Sequence, residues 1–114
     1  MGWFSMTPRD REALRRIVAH IEKIESYLDQ VGPGWPEDDM AVDAIAKRLE
    51  DIGEQVKSIG AETLAAAPKV DWAAAKGMRT IIAHEYEDLD VDVVAATVRE
   101  DLPGMKAAAI GLLS

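Results

Sequence analysis

Cysteine is missing from this chain of 114 residues. That excludes a disulfide framework and any thiolate metal site, and fits a reducing cytoplasm as the expected location. No apolar run approaches the roughly 18 residues that a membrane span needs. Met1 to Met6 is apolar but short, lacks the basic start of a signal peptide, and is read as a flexible leader. Aromatic residues make up only 5% of a chain that is 48% hydrophobic, so the core has to be aliphatic. Basic residues are outnumbered, 13 against 21 acidic, for a net charge of −8; a general nucleic-acid coat protein would carry the opposite balance. No cluster of His, Asp and Glu has metal-ligand spacing, so neither a metal nor another cofactor is expected.

What remains is rich in Ala, Leu, Ile and Glu, a composition that favours helices packed on helices in one domain spanning residues 1–114. Thr7-Pro8 is a helix start, with Thr as the cap and Pro at the first position. Leu14, Ile17, Ile21, Ile24, Leu28 and Val31 then step by three and four, an apolar stripe about five turns long. Gly32-Pro33-Gly34-Trp35-Pro36 breaks that helix, and Trp35 is expected to fold back onto the core. A second helix starts between Pro36 and Asp39 and repeats the rhythm with Val42, Ile45, Leu49, Ile52, Val56 and Ile59, stopping at Gly60. Two such seams joined by a short turn pack antiparallel.

After a short turn at 62–67, Asp71 caps a third helix from Trp72 to about His84. Its inward positions are Trp72, Ala75, Met78, Ile81 and Ile82. Asp90 caps a fourth, Val91 to about Glu100, with Val91, Val94, Ala95 and Val98 as its seam. Asp101-Leu102-Pro103-Gly104 either kinks that helix or separates it from a last one, 105–113. The expected fold is all-α, an antiparallel bundle of four main helices plus a kinked C-terminal helix.

Charge is unevenly distributed. Residues 1–31 carry five basic and five acidic groups, with Arg9, Arg11, Arg15 and Arg16 gathered at the front. Residues 32–68 carry three basic and eight acidic groups. The arginine group is either a local RNA-binding patch or an ordinary solvated helix end.

The segment richest in chemistry is Lys76-Gly77-Met78-Arg79-Thr80-Ile81-Ile82-Ala83-His84-Glu85-Tyr86. Histidine titrates near neutrality, and arginine is a permanent charge whose fork matches phosphate. Together they can attack or cleave a phosphodiester without a metal. On a regular helix Arg79 and Tyr86 share a face, and His84 lies about 140° around from Arg79. Fraying near His84 would let the pair converge; otherwise each meets its counterpart across a subunit interface. The plainer readings are a surface ion pair for Arg79, a helix-end contact for His84 and packing for Tyr86. His20, beside the first seam, is read as a seam-edge residue without a chemical role.

Arg79-x4-His84-x-Tyr86 resembles the signature of the HEPN superfamily, and specifically of its HepT-like branch. Val70-Asp71-Trp72 leading into Lys76-Gly77-Met78-Arg79 resembles that branch's P-x-[IV]-x-W-x-x-[IL]-x-G-[ML]-R-N run. His84-Glu85-Tyr86 with Leu89-Asp90 resembles its H-[ED]-Y-F-x-[IV]-D run. Asp101-Leu102-Pro103 and the helix from Ile45 to Gly53-Glu54 add further likeness, so the resemblance covers roughly residues 10–110. Thr80 departs from it, standing where Asn is usual; a shorter, β-branched side chain keeps the hydrogen-bonding hydroxyl.

The resemblance implies a helical bundle that dimerises through the motif region, with both copies of the Arg–His pair lining one cleft. It implies a metal-independent endoribonuclease, the toxin of a type VII-like (HEPN/MNT) toxin–antitoxin pair, with RNA as substrate. It implies an MNT-type nucleotidyltransferase antitoxin as partner. Arg79 would bind the scissile phosphate, His84 would be the acid–base, and Tyr86 would receive AMP from the antitoxin. Two other readings stand beside it: a catalytically inactive HEPN dimer that serves as a nucleotidyltransferase-binding or nucleotide-binding scaffold, and a plain helical dimer whose Arg–His pair only holds the interface.

Overall fold

The Thr7 hydroxyl accepts the backbone N–H of Asp10 at 3.0 Å, and Pro8 fills the first position of α1, Pro8–Val31. This computed structural model describes the backbone of residues 5–84 and 89–114, and the side chains of all of these except 79–84. Gly32 ends α1 with φ at +86°, a region open to glycine, while its N–H closes on the Leu28 carbonyl at 2.8 Å. A single tight turn, Trp35–Glu37, follows, and Trp35 is buried as its place in the breaker predicts. Asp38 then caps α2, Asp39–Lys57, by accepting the N–H of Ala41.

The two seams bury as their spacing requires: Leu14, Ile17, Ile21 and Ile24 of α1, and Val42, Ile45, Leu49, Ile52 and Val56 of α2, are all 5% exposed or less. Leu28 is half-buried against them. Val31, last of the predicted stripe, is 41% exposed, because the chain turns away one residue later at Gly32. The pairing is antiparallel: Arg9 and Glu12 lie near Gln55 and Ser58, whereas Tyr27 reaches Arg48.

The short turn after α2 is α3, Ala61–Ala65. It is locked to the start of α1 by Asp10, only 6% exposed, whose carboxylate accepts the N–H of Gly60 at 3.1 Å and the hydroxyl of Thr63. These two groups, the Thr63 hydroxyl foremost, hold the Asp10 carboxyl below its usual range despite burial. Such a group binds fewer protons folded than unfolded, so its contribution is complete above the unfolded carboxyl pKa, about 4, and is lost as pH falls through its lower folded pKa. Asp10→Ala should cost about 2–4 kcal/mol at neutral pH, since a buried hydroxyl and a helix-start N–H lose a charged acceptor. That deficit should shrink in acid, measured as the gap between wild-type and variant urea midpoints from pH 7 to pH 3.

The third main helix is α4, Trp72–His84, laid mainly against α2. The chain then runs from Val91 to Leu113 without a helical break: α5, Val91–Ala96, passes through a wide turn at Thr97–Asp101 into α6, Leu102–Leu113. Of the two sequence options at Pro103, the structure shows the uninterrupted one. In an ordinary helix the Pro103 ring would collide with the carbonyl four residues back. The wider turn, in which the Leu102 N–H reaches the Thr97 carbonyl five residues back, relieves that conflict. It also lets α5 rest on α2 while α6 lies along α1, with Val94, Ala95, Val98, Leu102, Met105 and Ala109 buried. Arg11 ties the far end to the beginning by donating to the Leu113 carbonyl at 3.2 Å. Among the described residues there is no strand, and no helix is long and apolar enough to cross a membrane.

Candidate functional site

The sequence places the motif on α4, and the structure shows how that helix is held. Asp71 accepts the N–H of Ala74 at 2.9 Å and so caps the helix start. Trp72 is buried and its indole N–H donates to the Ala67 carbonyl at 3.0 Å, pinning the first turn to the end of α3. Ala75, 3% exposed, brings the α4 backbone close to α2 because a methyl group is all that intervenes.

Arg79 and His84 are the eighth and thirteenth residues of this helix; their side chains lie outside the described residues, as do those of Ile81 and Ile82. Tyr86 falls wholly outside them. The backbone is nonetheless informative. Arg79 follows Ala75 by four and Trp72 by seven, so its Cα stands on the side of α4 that carries these two core residues. His84 follows Gly77 by seven and Ala73 by eleven, on the side that holds half-buried and exposed positions. The helix continues through His84, so the two Cα atoms point about 140° apart and sit about 7.5 Å apart along the axis.

Beside α4 a cleft of about 620 Å³ opens toward α5 and α6. Its floor is apolar, formed by Leu49, Ala75, Met78, Val94 and Met105, and Val93 on its wall is 55% exposed. Among the described residues its rim carries Asp71, Asp90, Glu100 and Asp101 against one cation, Lys69. The described part of that rim is acidic and repels phosphate. Among the described residues no three of His, Asp and Glu stand where they could share a metal ion.

Two arrangements escaped the sequence reading. Asp10 stands in the first turn of α1 among arginines, and nothing local announces that it caps a segment 50 residues away. His20 is not merely a seam-edge residue: its Nδ1 lies 3.1 Å from the Arg48 guanidinium, which also donates to the Tyr27 hydroxyl at 3.4 Å. The only available signal was the antiparallel register of the two seams, which brings positions 20 and 27 opposite 48.

Residues 17–110 match the family described as Ribonuclease HepT-like. A protein of Thermococcus cleftensis named as a probable ribonuclease HepT is 31% identical over 97 residues, 84% of this chain and 88% of that protein. A Methanocaldococcus jannaschii protein named as a gamma-glutamylcyclotransferase and putative RNase is 29% identical over 94 residues, covering 82% of this chain but only 42% of the relative. A second protein of that organism, named as a putative RNase, is 33% identical over 63 residues, 55% of this chain and 58% of its own length. No solved structure matches the chain. With nearly the whole helical bundle, the Arg–His helix included, inside the matched span, the chain belongs to the HepT-like ribonuclease family.

Proposed function

We propose that the protein is a metal-independent endoribonuclease and the toxin of a pair whose antitoxin is an MNT-type nucleotidyltransferase. The observation that carries this reading is the family match over residues 17–110, which encloses Arg79 and His84 on one continuous helix. Arg79 holds the scissile phosphate and stabilises the charge that grows on its oxygens. His84 exchanges protons with the ribose 2′-hydroxyl or the leaving 5′-oxygen. The 2′-oxygen bonds to phosphorus as the P–O5′ bond breaks, leaving a 2′,3′-cyclic phosphate or its hydrolysis product and a free 5′-hydroxyl.

A two-fold dimer completes the site. One Arg and one His whose Cα atoms point to different sides of α4 are a sparse set for this chemistry, and an isologous interface doubles it. The cleft beside α4, with its apolar floor and exposed Val93, offers apolar area for such an interface. Static light scattering at tens of micromolar should give a dimer mass; a fully active monomer would contradict the shared cleft.

Tyr86, two residues beyond His84, is the position where AMP would silence the enzyme, since a bulky anion there blocks the substrate path and repels RNA phosphate. Wild type co-expressed with the antitoxin should gain one or more AMP masses on the peptide containing Tyr86 and lose toxicity. Tyr86→Phe should stay toxic under the same conditions. An unmodified peptide from neutralised protein would point to steric masking instead. Expression toxicity of wild type beside His84→Ala separates this reading from the catalytically idle scaffold, which predicts that the two behave alike.

A further inference from the structure

We propose that Arg48, held between His20 and Tyr27 on the α1–α2 face, is a phosphate-binding position that docks the RNA backbone outside the Arg79–His84 centre. The phosphate site stands on its own geometry; RNA as its source rests on the ribonuclease reading.

Arg48 is half-buried on α2. Its Nη1 is 3.1 Å from His20 Nδ1, and its Nε donates to the Tyr27 hydroxyl at 3.4 Å. A guanidinium has no acceptor, so both contacts run outward from Arg48. Nδ1 of His20 must then be bare, which leaves the imidazole neutral with its proton on Nε2. Burial, the largest influence on His20, acts in the same direction and holds its pKa below the usual value. Tyr27 accepts through its oxygen, so its own O–H remains available to donate.

The charges around this group are settled elsewhere. Arg16 bonds Glu12 at 3.2 Å, and Lys47 holds Asp51 at 3.2 Å and Glu50 at 4.0 Å. Among the described residues no carboxylate pairs with Arg48; the partners it has are neutral. Among the described residues its cation therefore has no ion-pair partner, and it is half-buried and already fixed in orientation. Such a guanidinium loses little further entropy when it meets an anion. The Nη2 N–H groups and the Tyr27 O–H are donors suited to the non-bridging oxygens of a phosphate. Farther along the same face a separate shallow groove is lined by Arg9 and Arg16 together with Glu12 and Glu54. In a protein of charge −8, a guanidinium fixed by neutral partners and set away from the acidic rim of the cleft gives a polyanion a local point of attraction.

Two measurements test this. Inorganic phosphate titrated into the full-length protein should shift the His20 ring and Arg48 side-chain NMR signals saturably. Arg48→Gln should abolish the shift of the His20 ring, and Lys106→Gln, which removes a cation paired with Glu25 and Glu22 on the other face, should leave it intact. In a His84→Ala background, fluorescence anisotropy of a labelled single-stranded RNA between 50 and 200 mM salt should give a log–log slope smaller in magnitude by about 0.7 in Arg48→Gln, with no change in Lys106→Gln. Circular dichroism melting confirms that each variant is folded, and Arg48→Lys, which keeps the charge, should retain the slope. An altered slope with no RNA cleavage by wild type would leave the docking site standing while the ribonuclease reading falls. Phosphate binding with an unchanged RNA slope would assign the site to a free phosphate or nucleotide and overturn backbone docking. No response to phosphate and no change in slope would overturn the proposal altogether.

Discussion

Ile45→Asp should leave no folded protein at 25 °C. Ile45 is fully buried on α2, facing the α1 seam, and an ionised carboxylate there would have neither water nor a partner. Burying an unpaired charge costs several kcal/mol, a large part of the roughly 5–15 kcal/mol that holds a domain of this size together. Ile45→Ala isolates the packing share of the loss and should cost about 2–5 kcal/mol without unfolding the chain. Leu49→Asp, four residues along the same seam, is the milder test. Leu49 also floors the cleft beside α4, so a carboxylate at that position has a route to water. Loss of the helical far-ultraviolet signal for Ile45→Asp, with Leu49→Asp retaining more of it, is the expected order. An Ile45→Asp protein with wild-type signal and melting temperature would contradict the packing of α1 on α2.

The second large effect is catalytic. His84→Ala should reduce the RNA cleavage rate by about 10²–10⁴-fold, the range that a positioned acid–base supplies. Arg79→Ala should cost about 10²–10³-fold, because it removes a donor aimed at charge that grows only in the transition state. The double variant should lose much less than the product of the two, since groups acting on one phosphate work as a unit. Circular dichroism melting of both variants checks that they are folded, so that a lost rate is read as lost chemistry. A rate unchanged in both would remove these residues from the mechanism.

How much of this was readable beforehand follows from the range of each interaction. The seams of α1 and α2, the caps Thr7, Asp71 and Asp90, and the burial of Trp35 are local or periodic, so spacing alone reveals them. The stretch around Pro103 is local too, but the sequence leaves two solutions. Packing α5 on α2 and α6 on α1 favours a wide turn over a break. Asp10 with Thr63, and Arg48 with His20 and Tyr27, join residues 53, 28 and 21 positions apart. No periodicity points to such pairs; they follow only once the helices are in register. For the Arg–His motif the position on α4 was legible, because an apolar third- and fourth-residue pattern runs through it. Its chemistry was not legible from spacing, which separates the two residues around the helix, and the reading drew on the resemblance.

A metal-independent ribonuclease is tested most directly by the 3′-end product formed when purified protein, stripped with EDTA, meets a defined single-stranded RNA. The expected result is cleavage that EDTA does not diminish, 2′,3′-cyclic phosphate or the monoester from its hydrolysis at the new 3′ end, and near-complete loss of both in His84→Ala. Cleavage that stops in EDTA, or that His84→Ala carries out at the wild-type rate, would contradict it.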